Sequence, residues 1–288
     1  MEAMTSQQNT TPEGDVSAEQ RQAGAIERMF SSVGEPVLEI WGILTGIARM
    51  FGLTFFYLVR GKKRWSAVFE QFYEIGNRSV IFIMFTLGFL GMILIYQASY
   101  QAMKITGDLQ LLGALFMQLL WREFAPTITA LMLATRVGTG MAAQIGSMVV
   151  TEQVDALKMC AAQPVEYLVV PRFIASTIMT VVLTIFAVLV AYMAGAITAN
   201  ISFNVNYLTF FNFKFVGWFD LIIGLTKAFF YGMTIPVVAC YAGFEVHGGS
   251  AGVGRATTQS VVIASLAVVI LDFLISGIGF VYLIAFAK

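Results

Sequence analysis

The groups in this chain with the most chemical potential are ionisable residues stranded in apolar sequence. Arg122 and Glu123 stand just before Pro126 at the start of one apolar run, Arg136 lies inside it, and Lys227 and Asp272 sit deep in two later runs. Charge in hydrocarbon is expensive, so such residues are paired, turned towards a polar cavity, or functional. Lys227 is a natural partner for Asp272 in a structural ion pair. A proton relay would need a second acid, and none stands in register beside Asp272. Arg136 must find a carboxylate, backbone carbonyls or the membrane interface. Arg122 and Glu123 either mark that interface or form a polar spot at the mouth of a lipid cavity. Tyr96 and Gln97, late in the preceding apolar run, reach a similar depth and are candidates to line the same cavity, with Phe89, Met92, Ile93 and Leu94 accepting acyl chains. Tyr96 serves equally well as an ordinary interfacial aromatic.

Catalytic and metal chemistry are not indicated. There is one histidine, His247, beside a glycine-rich segment, and the two cysteines, Cys160 and Cys240, fit no metal or redox spacing. The chain has no G-x-x-x-x-G-K-[ST] phosphate loop; "GVGRATT" has the glycines but neither the lysine nor a preceding strand. No catalytic residue, metal or cofactor is therefore expected, and the chain itself is not expected to hydrolyse ATP.

The elements that position these groups follow from composition. Of 288 residues 58% are hydrophobic and 12% charged, against about 25% charged in a soluble domain, so the chain reads as an all-α integral membrane protein. Zero formal net charge argues against a nucleic-acid partner. Residues 1–34 are polar, with neither signal- nor transit-peptide character, and are expected to be a disordered cytoplasmic tail ahead of one domain, 35–288. About five transmembrane helices are expected, at roughly 79–100, 126–147, 172–198, 219–242 and 259–285. A sixth apolar stretch, 37–59, carries Glu39, Gly42, Gly46, Arg49 and Gly52 on one face. It reads as an amphipathic helix in the interface, with a span packed through small residues as the competing reading. Arg60, Lys62, Lys63, Arg64 and Arg78 precede the first span and put that side, and the N-terminus, in the cytoplasm.

Between the second and third spans lies "TEQVDALKM", residues 151–159, which reads as a short cytoplasmic helix. Thr151 suits its N-cap and Glu152 and Asp155 its first turn, while Val154 and Leu157 share a face. Tethered closely to two spans, with Pro164 and Pro171 closing off the segment behind it, it has the geometry of a coupling helix; a plain connecting loop is the alternative. Ala134, Gly138, Ala142 and Gly146 recur every four residues as a small-residue stripe suited to close helix packing, within a protomer or across a dimer, or to lining a lipid path. The glycines at 248, 249, 252 and 254 suit tight turns in a loop.

The run "REFAPTITALMLATRVGTGMAAQIGSMVVTEQVDALKMCAAQPVEYLVVPR", 122–172, and the block "GGSAGVGRATTQSVV", 248–262, followed by Asp272 and Phe273, resemble the MlaE-type (YrbE-type) permease family of ABC lipid transporters. Gln144 departs from the family, which often has an acid there. The resemblance implies a homodimeric, multi-pass permease of a bacterial inner membrane that moves phospholipid. It also implies a cytoplasmic ABC ATPase subunit and a periplasmic-side MCE-domain protein as partners, with room for an auxiliary cytoplasmic subunit. The segment matching Glu152, Gln153, Asp155, Ala156 and Leu157, with Val154 among them, would contact the ATPase. Two other classes remain open on the residues alone: an ion-coupled secondary transporter of a hydrophobic substrate, and a membrane scaffold that transports nothing. The missing phosphate loop yields a first prediction. The rigorously purified chain will not hydrolyse ATP, and measurable turnover in a phosphate-release assay would overturn the permease reading.

Overall fold

The computed structural model describes residues 38, 40–61, 64–105, 107, 109–211 and 216–286. The expected tail, 1–34, and Glu39, Lys62 and Lys63 lie outside the described residues. Two compact units are present, 1–49 and 50–288. Every regular element among the described residues is helical. The described part of the first unit is helix throughout, from Ile40 into α1 (Ile40–Arg60).

The second unit is a helical bundle. It contains α2 (Trp65–Ile105), α3 (Leu112–Leu119), α4 (Ala125–Leu133), α5 (Thr139–Val150), α6 (Gln153–Met159), α7 (Val170–Phe203), α8 (Tyr207–Phe210), α9 (Trp218–Phe244) and α10 (Gly249–Phe286). Five helices, α1, α2, α7 with its preceding turn, α9 and α10, are long and apolar enough to cross a membrane. The expected span at 126–147 is part of a longer right-handed run, α3 to α5, interrupted by π turns at Leu120–Phe124 and Ala134–Gly138. The other expected spans are extended too. With its 41 residues, α2 is about 60 Å long at 1.5 Å per residue, twice the hydrocarbon thickness.

Successive helices run antiparallel, which gives the bundle two ends. At one, Arg64 stacks 4.1 Å over the Tyr167 ring, and a Cβ at Gly146 would meet Val246 and Val253. At the other, Tyr96 packs on Phe203 and Phe219 on Tyr282. The core pairing is α2 against α7. The buried face of α2 repeats every three or four residues through Ile75, Ser79, Ile83, Leu87, Gly91 and Ile95. The small-residue stripe is buried within this chain: Gly138 lies against Ile235, Ala239 and Ser260, and Ala142 faces Gly243. Opposite it, α10 contributes its own four-residue row, Gly252, Ala256, Ser260, Ala264 and Val268.

Three local expectations are corrected. Thr151 ends α5, donating its hydroxyl to the Ser147 carbonyl, and Glu152 is the N-cap of α6 in the left-handed region. Pro171 stands in the first turn of α7, directly after the π turn Val165–Val169, so it lies inside a continuous helical run rather than closing a segment. The glycine-rich block is mostly helix; only Gly248 and Gly249 have positive φ, and α10 begins there.

A Cβ at Gly91 would fall 2.4 Å from the Ala191 carbonyl oxygen, so this glycine sets the approach of α2 to α7. Gly91→Val should lower stability by about 2 kcal/mol or more, as overpacking against backbone does. Gly140→Ala, with nothing within 4 Å of the new Cβ, should leave it unchanged. Thermal unfolding of the two variants in detergent checks the contrast.

Candidate functional site

The π turn at Leu120–Phe124 organises the site. An i→i+5 turn inserts an extra residue into a helix and redirects the side chains around it, and such turns recur at functional positions. Here Trp121 is locked against α9: its indole N–H donates to the Leu221 carbonyl at 3.1 Å, and Gly224 leaves room for it, since a Cβ there would sit 2.5 Å from the Trp121 carbonyl oxygen. With the turn fixed in this register, Arg122 and Glu123 face α9 and α10, and Phe124 faces a groove.

That groove, of about 600 Å³, lies between the last turns of α2 and α3. Leu94, Ala98, Leu115, Phe116 and Leu119 make its wall, and Gln97 and Gln101 supply polar points. Its volume is in the range of small-molecule sites. Its floor is stiff: Phe116 stacks on Tyr192, whose hydroxyl donates to the Phe210 carbonyl at 2.8 Å, and Gly113 lets α3 approach Phe210 closely.

On the α9 and α10 side of the same turn runs a chain of charges alternating in sign. Asp220 lies 3.9 Å from Arg122, Arg122 lies 3.6 Å from Glu123, and Lys227 bridges Glu123 at 2.5 Å and Asp272 at 2.7 Å. The Lys227 side chain has no solvent exposure. Tyr231 and Thr127 donate to the same Asp272 oxygen, Ser276 donates to Glu123, and Gln118 and the Gly217 amide donate to Asp220. The contact from Arg122 to Asp220 Oδ1 is ionic without being a hydrogen bond, and that oxygen has no hydrogen-bond partner. The expected pair of Lys227 and Asp272 therefore exists, but the expectation that no second acid stands near Asp272 is overturned. Glu123, 149 positions away in sequence, shares the same ammonium.

The residues proposed for the cavity divide. Leu94 and Gln97 line the groove, and Arg122 and Glu123 belong to the ionic chain next to it. Tyr96 turns to Phe203 instead, Phe89 stacks on Phe85, and Phe89 and Ile93 are exposed on the outer surface of α2. Met92 is half-buried and does not line the groove. The wall contributed by α3, Leu111 to Leu119, was missed because an eight-residue apolar helix gives no periodic signal beyond that of the neighbouring span.

At the opposite end, α6 projects as a seven-residue helix. Its exit is a Schellman arrangement: Ala162 N–H bonds the Leu157 carbonyl, Ala161 N–H bonds the Lys158 carbonyl, and Ala161 is left-handed. Val154 is buried and Leu157 half-buried, so both face this chain's own bundle. The outward surface consists of Glu152, Gln153, Asp155, Ala156 and the fully presented Met159, with Asp155 paired to Lys158 at 2.8 Å.

Comparison with known proteins gives concordant matches. A family model described as "Permease MlaE" matches residues 68–278. A probable ABC transporter permease protein of Synechocystis is 34% identical over 231 residues, covering 80% of this chain and 88% of its own. The intermembrane phospholipid transport system permease protein MlaE of Haemophilus influenzae is 31% identical over 262 residues, 88% of this chain and 98% of its own. The chloroplastic protein TRIGALACTOSYLDIACYLGLYCEROL 1 of Arabidopsis thaliana is 29% identical over 225 residues, 77% of this chain and 64% of its own.

The ionic chain predicts strong non-additivity. Lys227→Met leaves two carboxylates without their shared cation and should destabilise the protein by about 3–5 kcal/mol. Adding Glu123→Gln and Asp272→Asn to the same chain should recover most of the loss. Chemical unfolding of the three single variants and the triple variant measures it; a triple loss equal to the sum of the single losses would show that the three groups act independently.

Proposed function

The chain belongs to the MlaE family of ABC transporter permeases, and from that premise we propose that it is the membrane subunit through which phospholipid passes between a bacterial inner membrane and a periplasmic MCE-type carrier. The observation that carries the reading is the apolar groove of about 600 Å³ with polar points at Gln97 and Gln101. A phospholipid has the same division, an apolar body and a charged head. The acyl chains lie against Leu94, Leu115, Phe116 and Leu119, and the headgroup meets Gln97 and Gln101. The name of the Haemophilus influenzae relative supports the substrate class.

Energy comes from a cytoplasmic ATPase subunit gripping α6, and two copies of the chain form the working unit. The basic residues before α2 support a cytoplasmic α6 end. Because Val154 and Leu157 turn inward, the grip falls on Gln153, Asp155, Ala156 and Met159, with Met159 as the apolar anchor. Methionine suits such a contact, because its flexible thioether adapts to irregular apolar surfaces.

The ion-coupled alternative draws on one observation, the two acids sharing Lys227. It requires transport driven by a proton gradient with no ATPase. The two readings separate in one experiment. Met159→Asp should insert and fold normally, lose ATPase capture in a pull-down from membranes, and abolish ATP-dependent lipid transfer. Full transfer by this variant under a proton gradient alone would favour the ion-coupled mechanism.

A further inference from the structure

At the α6 end, away from the groove, a second polar cavity of about 230 Å³ opens between α2 and α5, lined by Gln71, Glu74, Arg78, Arg136, Val137 and Gln144 among others. Gln71 also lines an adjoining cleft of about 220 Å³ with Arg64, Glu70 and Arg172. Four arginines thus face two glutamates, and one of these, Glu74, is already engaged by Arg78 at 3.7 Å. Arg172 is buried, donating to the Leu168 carbonyl and to Gln144 Oε1. Arg136 donates to Ser79 Oγ at 2.7 Å. Among the described residues, neither Arg136 nor Arg172 has a carboxylate within ion-pair distance. The side chain that joins this group, Gln144, is neutral: it accepts from Arg172 and donates to Glu74.

A guanidinium without a counter-ion on the cavity wall, Arg136, calls for an anion, and guanidinium geometry matches phosphate oxygens well. The depth is informative. Trp65, Phe69 and Tyr73 follow one another at four-residue steps along α2 and are all exposed, level with Glu70, Gln71 and Glu74. Such aromatics gather where headgroups meet the acyl region. Ile75, Val137 and Met141 give the cavity an apolar side as well.

We propose that this cavity binds the phosphate of a glycerophospholipid drawn from the leaflet at the α6 end, as a headgroup site separate from the groove. The inference rests on the lipid-transport reading for its substrate class and adds a second station for the same substrate. Arg136 and Arg78 contact the phosphate, Arg172 holds Gln144 in position, and the neutrality of Gln144 keeps the site open to an anion.

The test uses the full chain in phosphatidylcholine nanodiscs with a photocrosslinking residue at Gly140, where open space adjoins the cavity, and a reference probe at Gln97 in the groove. Tracer phosphatidylglycerol should label the Gly140 position several-fold more than tracer diacylglycerol, which has the same tails and no phosphate. Gln144→Glu, which supplies an internal carboxylate, should remove most of that excess, and Gln144→Met should keep it. Inorganic phosphate should not displace the lipid. Equal labelling by both tracers, an excess that survives Gln144→Glu, or a loss in Gln144→Met would overturn the proposal. Displacement by inorganic phosphate would also overturn it, identifying a soluble-anion site instead. Loss of labelling at Gly140 with labelling at Gln97 intact removes this site alone; loss at both removes the lipid reading with it.

Discussion

A lysine with no solvent contact inside an apolar bundle is the constraint on which the rest of the structure depends. Lys227 is tolerable only because Glu123 and Asp272 stand on either side of it. Those acids come from a π turn and from α10, so one buried cation ties three helices at a single depth. The tie extends through Arg122 to Asp220 near the start of α9. Pairing this extensive in hydrocarbon specifies register: sliding α9 by one turn would separate Lys227 from both partners and expose neither to water. The Trp121 contact at Gly224 fixes the same register by shape.

The π turn links that constraint to the groove. Here the widened turn carries Arg122 and Glu123 to the ionic chain and Phe124 to the groove wall. The helical run then passes a second π turn at Arg136 and ends with α5, after which Thr151 and the left-handed Glu152 turn the chain into α6. One rod of backbone therefore joins the groove to the polar cavity at the other end, and one break leads on to the exposed Met159.

The sequence makes the helical class and the alternation of the helices legible, because long apolar runs satisfy their backbone only as helices in lipid. The small-residue stripe is legible for the same kind of reason: Ala134, Gly138, Ala142 and Gly146 recur with helical period, and the structure buries all four. The charged residues are visible as anomalies, yet only one pairing among them can be guessed. Glu123 and Asp272 come together through the π turn, and an i→i+5 turn leaves no mark in residue periodicity. The same blindness hides that Tyr96, Phe89 and Ile93 lie outside the groove. A helix face is readable from spacing, but which face meets α3 depends on how the glycine contacts Gly91–Ala191 and Gly113–Phe210 set the helices. At α6, Val154 and Leu157 read as a docking face because they share a side; the left-handed Glu152 rotates that side into the bundle.

The central claim is that the apolar groove between α2 and α3, rather than the general membrane-facing surface, receives the substrate. The most direct measurement compares photocrosslinking from Gln97 with crosslinking from Tyr96. The two residues are neighbours at one depth, but Gln97 lines the groove and Tyr96 is exposed against Phe203. With tracer phospholipid titrated into nanodiscs, labelling at Gln97 should saturate and labelling at Tyr96 should rise in proportion to tracer. Proportional labelling at both positions would mean that bulk lipid alone reaches them, and would contradict the account.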